Sequence, residues 1–312
     1  MAERAIIAER PAASLGARLA ALALNDFRSY ASGALSLDGR PVALIGRNGA
    51  GKTNVLEALS MLGPGRGLRA APPEDLPRVG GTGGWAVSAR LADIDGETRL
   101  GIGALASAPT RRVVRIDGAP AAGPSALTRH LRFVWLSPAQ DRLFADGAGE
   151  RRRFLDRMAA ARDPALAESQ GAFELAMRQR QKLLEDGARD DAWLGALERR
   201  MAEAAVVIAA ARRETASAIA AADVASDWGF PSSDLVLEGE IEAALEREPA
   251  AAVEDAYAER LKTRRAVDSA AGRALEGPHR SDFRATYREK GRDARTCSTG
   301  EQKALLIGVV LA

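Results

Sequence analysis

Along the first third of the chain, apolar and polar positions alternate with the two-residue period of half-buried strands. Ala34-Leu35-Ser36-Leu37 alternates and reaches Asp38-Gly39, a hairpin turn into the continuous apolar run Pro41-Val42-Ala43-Leu44-Ile45, which predicts a buried strand. A second pair is expected around Asp95-Gly96, with Trp85 to Ile94 leading in and Glu97 to Ile102 leading out. Arg111 to Ile116 ends at Asp117-Gly118, and Arg132 to Leu136 predicts a further core strand. The stretches Gly63 to Gly67 and Val79 to Gly84 read as loops.

The period then lengthens to that of a helix. Phe154, Leu155, Met158, Phe173, Met177 and Leu184 mark helical structure from Glu150 to about Leu184, with a break at Glu185-Asp186-Gly187. A long helix follows from about Asp191 to Ala222, with Trp193, Leu197, Met201, Ala204, Ile208 and Ala211 on one face. Thirty such residues make a rod of about 45 Å. The same spacing returns in Val253, Tyr257 and Leu261 within a helix from Ala252 to Arg273. After Gly277 the pattern is again that of strands, Asp282 to Arg288 and Arg292 to Thr296 flanking Lys290-Gly291, and a last helix opens near Ser298.

With 312 residues, 46% hydrophobic and 28% charged, the chain is globular and large enough for one large or two ordinary domains. A net charge of +2 makes it no polycation, so any nucleic-acid contact must come from local basic patches. One cysteine, Cys297, rules out an internal disulfide within these residues and suits a reducing cytosol. Its expected place is a small buried position. No apolar run approaches the length of a membrane span. Glu3, Arg4, Glu9 and Arg10 break any signal-peptide core, so residues 1–18 are expected to form an extension ahead of the first strand. Two histidines, His130 and His279, and one cysteine give no support for a zinc site.

Candidate chemistry begins at Gly46-Arg47-Asn48-Gly49-Ala50-Gly51-Lys52-Thr53, the pattern G-x-x-x-x-G-K-T, between an expected strand and an expected helix, Thr53 to Leu62. Its glycines let backbone N–H groups close on phosphate oxygens, Lys52 brings a positive charge to the β- and γ-phosphates, and the Thr53 hydroxyl is placed to ligate Mg²⁺. The following helix aims its positive end at the same phosphates. ATP and Mg²⁺ are the expected cofactors.

A second motif, Ser298-Thr299-Gly300-Glu301-Gln302-Lys303, precedes the apolar helix Ala304 to Ala312. Read locally it is a capping box, with Ser298 as N-cap and Glu301 three residues on. It also resembles the signature loop of ABC ATPases, in which a serine hydroxyl, a glycine N–H and a helix dipole receive the γ-phosphate held by another copy. Both readings are compatible. On that resemblance Ser298, Gly300 and Gln302 join the nucleotide site.

Lys52 and Ser298 stand 246 positions apart (298 − 52). That gap is wider than in transporter-type ABC domains and narrower than in SMC proteins with their long coiled coils. Asn25-Asp26-Phe27-Arg28-Ser29-Tyr30, Gly46 to Ala58, Gly67-Leu68-Arg69, Arg151 to Asp156, and Gly277-Pro278-His279-Arg280-Ser281-Asp282 together resemble the RecF family of recombination and repair ATPases. The resemblance implies an α/β P-loop NTPase of ABC-ATPase head type, with a mixed sheet, an antiparallel β region and an inserted helical lobe. It divides the chain into a head part with the phosphate loop (19–148), the helical lobe (149–275) and a head part with the signature (276–312). It further implies binding of single-stranded, gapped or junction DNA, an ATP-dependent homodimer, partnership with RecO and RecR in replication-fork recovery and SOS induction, and a cytoplasmic, nucleoid-associated place. The family's weak DNA-stimulated ATPase needs a Walker B strand downstream of the signature helix. None follows before Ala312, so the sequence reads as a fragment expected to cradle phosphates and to hydrolyse ATP negligibly.

Gln140, after the expected strand at Arg132 to Leu136, is a candidate Q-loop ligand of Mg²⁺, a solvent-facing loop glutamine being the alternative. Basic residues cluster on the helical lobe: Arg151 to Arg153, Arg178, Arg180, Lys182, Arg199-Arg200, Arg212-Arg213, Lys262, Arg264 and Arg265. Each group alone reads as a solvated helix face. Their repetition suggests a surface that tracks a DNA backbone, with Arg151, Arg152, Arg153, Arg199 and Arg200 as candidate contacts. Cations opening a helix oppose its dipole, so Arg151 to Arg153 need an anion nearby, whether Glu150, Asp156 or a phosphate. His279 and Arg280 have as alternatives a hydrogen-bonded structural pair and a contact to DNA or across a dimer. Rival readings are a nucleotide-gated structural clamp without turnover, another ABC/SMC-type ATPase, a transporter ATPase subunit and a P-loop kinase.

Overall fold

The computed structural model describes residues 18–63, 65–94, 96–187, 190–225 and 229–312. The expected extension at 1–18 lies outside them, apart from Arg18. The chain forms two compact units that meet in sequence at Phe133/Val134. The helical residues and the signature segment therefore share one unit.

Unit one is an antiparallel sheet carrying one helix. Its strands are β1 (Arg18–Phe27), β2 (Tyr30–Ser36), β3 (Trp85–Ala92), β4 (Glu97–Leu105), β5 (Ala108–Ile116) and β6 (Ala119–Ala121), and α1 spans Lys52–Met61. The sheet order is β2-β1-β3-β4-β5-β6. Alternation does the folding here: Leu22, Leu24 and Phe27 of β1, Trp85, Val87, Ala89 and Leu91 of β3, and Leu100 and Ile102 of β4 face one side and are buried with Val55, Ala58 and Met61 of α1. Phe27 meets Trp85 edge-on at 5.5 Å between ring centroids. The β3–β4 hairpin falls where it is expected, between Ala92 and Glu97. β5 ends at the expected Asp117-Gly118, and the chain turns back there into β6, which the sequence did not mark.

Two expected strands do not form. Residues 41–47 and 131–137 carry no strand, and Val42 and Ile45 of the first run are 58% and 94% exposed. A strand is defined by the partner that takes its N–H and C=O groups, and no described strand pairs with either segment. Apolar composition alone cannot supply that partner.

Unit two is mainly helical: α2 (Ala148–Arg162), α3 (Leu166–Glu185), α4 (Asp191–Ala225), α5 (Glu240–Ala244), α6 (Ala250–Thr263), α7 (Arg265–Ala271) and α8 (Thr299–Leu311). A small antiparallel sheet, β7 (Ser233–Glu238), β8 (Asp282–Tyr287) and β9 (Arg292–Asp293), completes it. At 1.5 Å per residue, α4 is a rod of about 50 Å. Fully buried Ala202, Ala205 and Ala209 let α3 and α6 pack closely against it. Trp193, expected on that buried face, is 54% exposed, because the stripe passes through Leu194 instead. A second core joins Phe154 and Leu155 of α2, Phe283 and Ala285 of β8, and Leu305, Leu306 and Val309 of α8.

Candidate nucleotide-binding and phosphate-binding sites

The phosphate loop joins residue 45 to α1. Gly49 and Gly51 hold φ of +84° and +88°, a left-handed backbone that side chains resist. At Gly51 space is also closed: an added Cβ would lie 2.8 Å from the Tyr30 hydroxyl and 3.0 Å from Ser29 Oγ. Gly51 is the N-cap of α1, and no side chain caps the helix there. The Asn54 N–H returns to the Gly51 carbonyl at 2.9 Å, which leaves those of Lys52 and Thr53, among the described residues, for an external acceptor. Lys52 Nζ folds back to donate to the carbonyls of Gly46 (2.7 Å) and Arg47 (2.9 Å). Residues 46–50 and Thr53 are exposed.

The back of α1 is fixed by charge. Glu57 is fully buried and accepts two hydrogen bonds from Arg28, at 2.7 and 3.0 Å, and one from Arg69 at 2.9 Å. Arg69 also donates to Asn54 Oδ1, and Asn54 Nδ2 donates to Ser29 Oγ. The three stretches Phe27 to Tyr30, Asn54 to Ala58 and Gly67 to Arg69 therefore converge on one ion-paired cluster behind the loop. The sequence marked all three without a role for any. The available signal was a carboxylate, Glu57, between two core positions of an amphipathic helix.

At α8, Ser298 and Glu301 form the expected capping box. Glu301 N donates to Ser298 Oγ (3.4 Å), Ser298 N donates to Glu301 Oε2 (2.8 Å), and the Ser298 hydroxyl donates to the same oxygen (2.9 Å). Lys290 holds Glu301 Oε1. The Lys290 ammonium, and then the Ser298 N–H and hydroxyl, bring the Glu301 carboxyl down to about 2. Gly300 is exposed with open space around it. Gln302 is different: at 4% exposure it is a core residue, and its amide donates to the Cys297 carbonyl at 2.9 Å. Cys297 is buried, which pushes its thiol up. Gln140 Oε1 accepts from both the N–H and the hydroxyl of Ser137, at 2.9 and 3.2 Å. The oxygen expected to face Mg²⁺ is spent on that local turn. The phosphate loop belongs to unit one, the signature and Gln140 to unit two.

The consecutive arginines of α2 have three separate fates. Arg151 is 9% exposed, makes a bidentate pair with Asp282 at 2.8 Å, and also donates to the carbonyls of Phe144 and Asp146. Burial works against the Asp282 charge, but the Arg151 hydrogen bonds and charge keep its carboxyl below the usual range. Arg151 is thus a structural cation, and the expected DNA contact there does not stand. Arg152 donates to the Ser281 carbonyl, and exposed Arg153 pairs with Glu150. Arg199 and Arg200 are exposed on α4. Much of the remaining basic charge is internal. Arg180, 1% exposed, binds Glu198, Asp268 and the Leu261 carbonyl. Arg212 binds Asp156 and the Pro278 carbonyl, and Arg265 makes a bidentate pair with Glu198. His279 Nε2–H donates to the Ala274 carbonyl at 3.0 Å and its ring lies 5.8 Å from that of Phe173. Burial holds its pKa below the ordinary value.

A glycine-bent loop ahead of α1, an antiparallel sheet around it and a helical unit ending in a signature helix define an α/β P-loop ATPase head of ABC type. Among solved structures, that of the recombination mediator protein RecF with ATPrS in the RecFOR pathway superposes with a TM-score of 0.81 over 95% of this chain and 80% of the other, at 19% identity. The corresponding RecF–ATP structure also gives 0.81, over 97% and 82%. Among curated proteins, the DNA replication and repair protein RecF of Mesorhizobium japonicum is 49% identical over 294 residues, covering 93% of this chain and 78% of the relative. That of Rhizobium etli CIAT 652 is 46% identical over 297 residues, covering 94% and 79%. No protein-family model matches the chain. The chain belongs to the RecF family of DNA replication and repair proteins.

Proposed function

We propose that this chain binds ATP at the phosphate loop and DNA on its helical unit, as a recombinational repair protein. The observation that carries the reading is the loop itself: two left-handed glycines, an uncapped α1 and Lys52 at its mouth. In this reading the N–H groups of residues 46–53 and Lys52 hold the triphosphate, and Thr53 holds its Mg²⁺. Ser298 Oγ and the Gly300 N–H receive the γ-phosphate from a second copy, so that ATP joins two heads. Gln302 supports that loop from the core rather than touching nucleotide. Arg152, Arg153, Arg199 and Arg200 contact the backbone of single-stranded or gapped DNA. RecO and RecR are the partners, in fork recovery and SOS induction in the cytoplasm.

Titration with a fluorescent ATP analogue tests the first half. Lys52→Ala weakens binding by one to two orders of magnitude, about what a charge-assisted contact contributes. Ser298→Arg leaves that binding intact and abolishes ATP-dependent pairing in analytical ultracentrifugation. Unchanged affinity in Lys52→Ala removes the nucleotide site, and retained pairing in Ser298→Arg removes the two-headed closure.

A further inference from the structure

The helical unit carries a cleft of about 600 Å³ between α2, α3 and the Pro278-His279 turn. Arg152, Arg153 and Arg178 line it, with the carboxylates Asp156 and Glu174 and an apolar wall of Phe173 and Met177. Arg152 is the unusual member. It is half-buried, and among the described residues its one hydrogen bond is to a neutral acceptor, the Ser281 carbonyl, at 2.7 Å. Among the described residues no carboxylate lies in ion-pair range of it, although its neighbours Arg151 and Arg153 each have one. Burial, and then the nearby Arg212 charge, lower its pKa against the opposing pull of Asp282 and Asp156, so the site holds this cation at a cost. A guanidinium partly removed from water and touching no carboxylate is stabilised further by an anion that arrives from outside.

The rest of the cleft narrows the anion. Arg178 meets Glu174 at 3.5 Å on an open surface, a weak pair that leaves most of its N–H donors available. The His279 proton sits on Nε2, which leaves the buried Nδ1 without a partner. Met177 and Phe173 give the cleft an apolar wall beside its cations. A cleft this size exceeds one inorganic phosphate. It suits a phosphate with the sugar that follows it.

We propose that this cleft is a seat for one backbone phosphate of a DNA strand, with Arg152 as its principal ligand and Arg178 at its rim. The proposal rests on the DNA-binding reading above and sharpens it, from scattered arginines to one cleft.

The test is fluorescence anisotropy of a labelled single-stranded oligonucleotide with the full chain, over a salt series. Arg152→Gln weakens binding about tenfold and lowers the salt slope by about one, as loss of one phosphate contact requires. Arg178→Gln, on an exposed position that leaves folding intact, weakens it about threefold. Arg151→Gln is no substitute, because Arg151 is a structural cation. Normal binding in both Arg152→Gln and Arg178→Gln, with loss in Arg199→Gln/Arg200→Gln, overturns the cleft and leaves DNA binding standing. A wild-type chain that binds no oligonucleotide overturns DNA binding and the cleft together. Millimolar inorganic phosphate at constant ionic strength leaves the Arg152 step in place when the ligand is a strand. If phosphate erases the step, the cleft takes a free anion and the proposal fails.

Discussion

The two helices that open onto candidate phosphate sites solve the same problem in opposite ways. Both leave N–H groups at their first turn that need acceptors. At α8 the chain supplies them itself: Ser298 and Glu301 close a capping box, and Lys290 neutralises the carboxylate. At α1 it supplies no side-chain acceptor at the front, since Gly51 has none to offer, and the helix is instead anchored from behind by Glu57. One end is capped by its own side chains, with the Gly300 N–H still to spare; the other has no side-chain cap and is held ready for a ligand. The difference predicts where substitutions hurt and what a ligand rescues.

The largest effect is expected at Glu57. Glu57→Ala removes a fully buried carboxylate and strands the Arg28 and Arg69 guanidinium groups around it. Breaking such a pair from one side costs about 3 kcal/mol. Urea denaturation should register that loss, with weaker binding of the ATP analogue as α1 loses its anchor. Unaltered stability would mean that α1 is placed by its apolar face alone. Gly51→Ala comes next. It forces a Cβ into a left-handed backbone and to within 2.8 Å of the Tyr30 hydroxyl, at about 2 kcal/mol. A thermal melt measures it, and the contrast is with Gly300→Ala, where nothing lies within 4 Å and the melt should barely move.

The same contrast explains what was legible in the sequence. Motifs whose geometry is local could be read directly: the phosphate loop, the Ser298 box, the Asp117-Gly118 turn and the strand alternation of β3 and β4 all depend on neighbours within a few residues. Features that need a distant partner could not. Pro41 to Ile45 has the composition of a core strand, but no described strand pairs with it. The arginines of the helical unit read as a solvated basic face because an exposed arginine and one facing a buried glutamate look alike in a single sequence. A finer register would have separated them. Leu194, Glu198, Met201, Ala205, Ile208, Arg212, Thr215 and Ile219 recur four and three apart along α4, and all are buried. Charges inside such a stripe must be paired, and Glu198 and Arg212 are. Charges beside it, Arg199 and Arg200, are free to meet solvent or a strand.

The smallest effect separates self-capping from ligand binding at α8. Glu301 is held at about 2 by Lys290 and by the N–H and hydroxyl of Ser298, below the ordinary glutamate value near 4.5. A carboxyl depressed by folding stabilises the folded state above its unfolded pKa. That contribution fades as pH falls from about 4.5 towards 2, because the unfolded chain then takes up a proton that the folded chain refuses. Wild type and Glu301→Gln should therefore differ in urea midpoint at pH 7, with wild type the more stable, and converge as the pH drops through that window. Because the group is solvent-exposed, the gap is small and narrows in high salt. The same variant bears on nucleotide. While Glu301 accepts both the N–H and the hydroxyl of Ser298, those donors are engaged and a negative charge stands beside them. Glu301→Gln removes the charge, so ATP-dependent pairing should strengthen modestly even as the fold loosens. Opposite signs for stability and pairing are the signature of a cap that competes with a phosphate; a change of the same sign in both would make Ser298 and Glu301 a helix cap and nothing more.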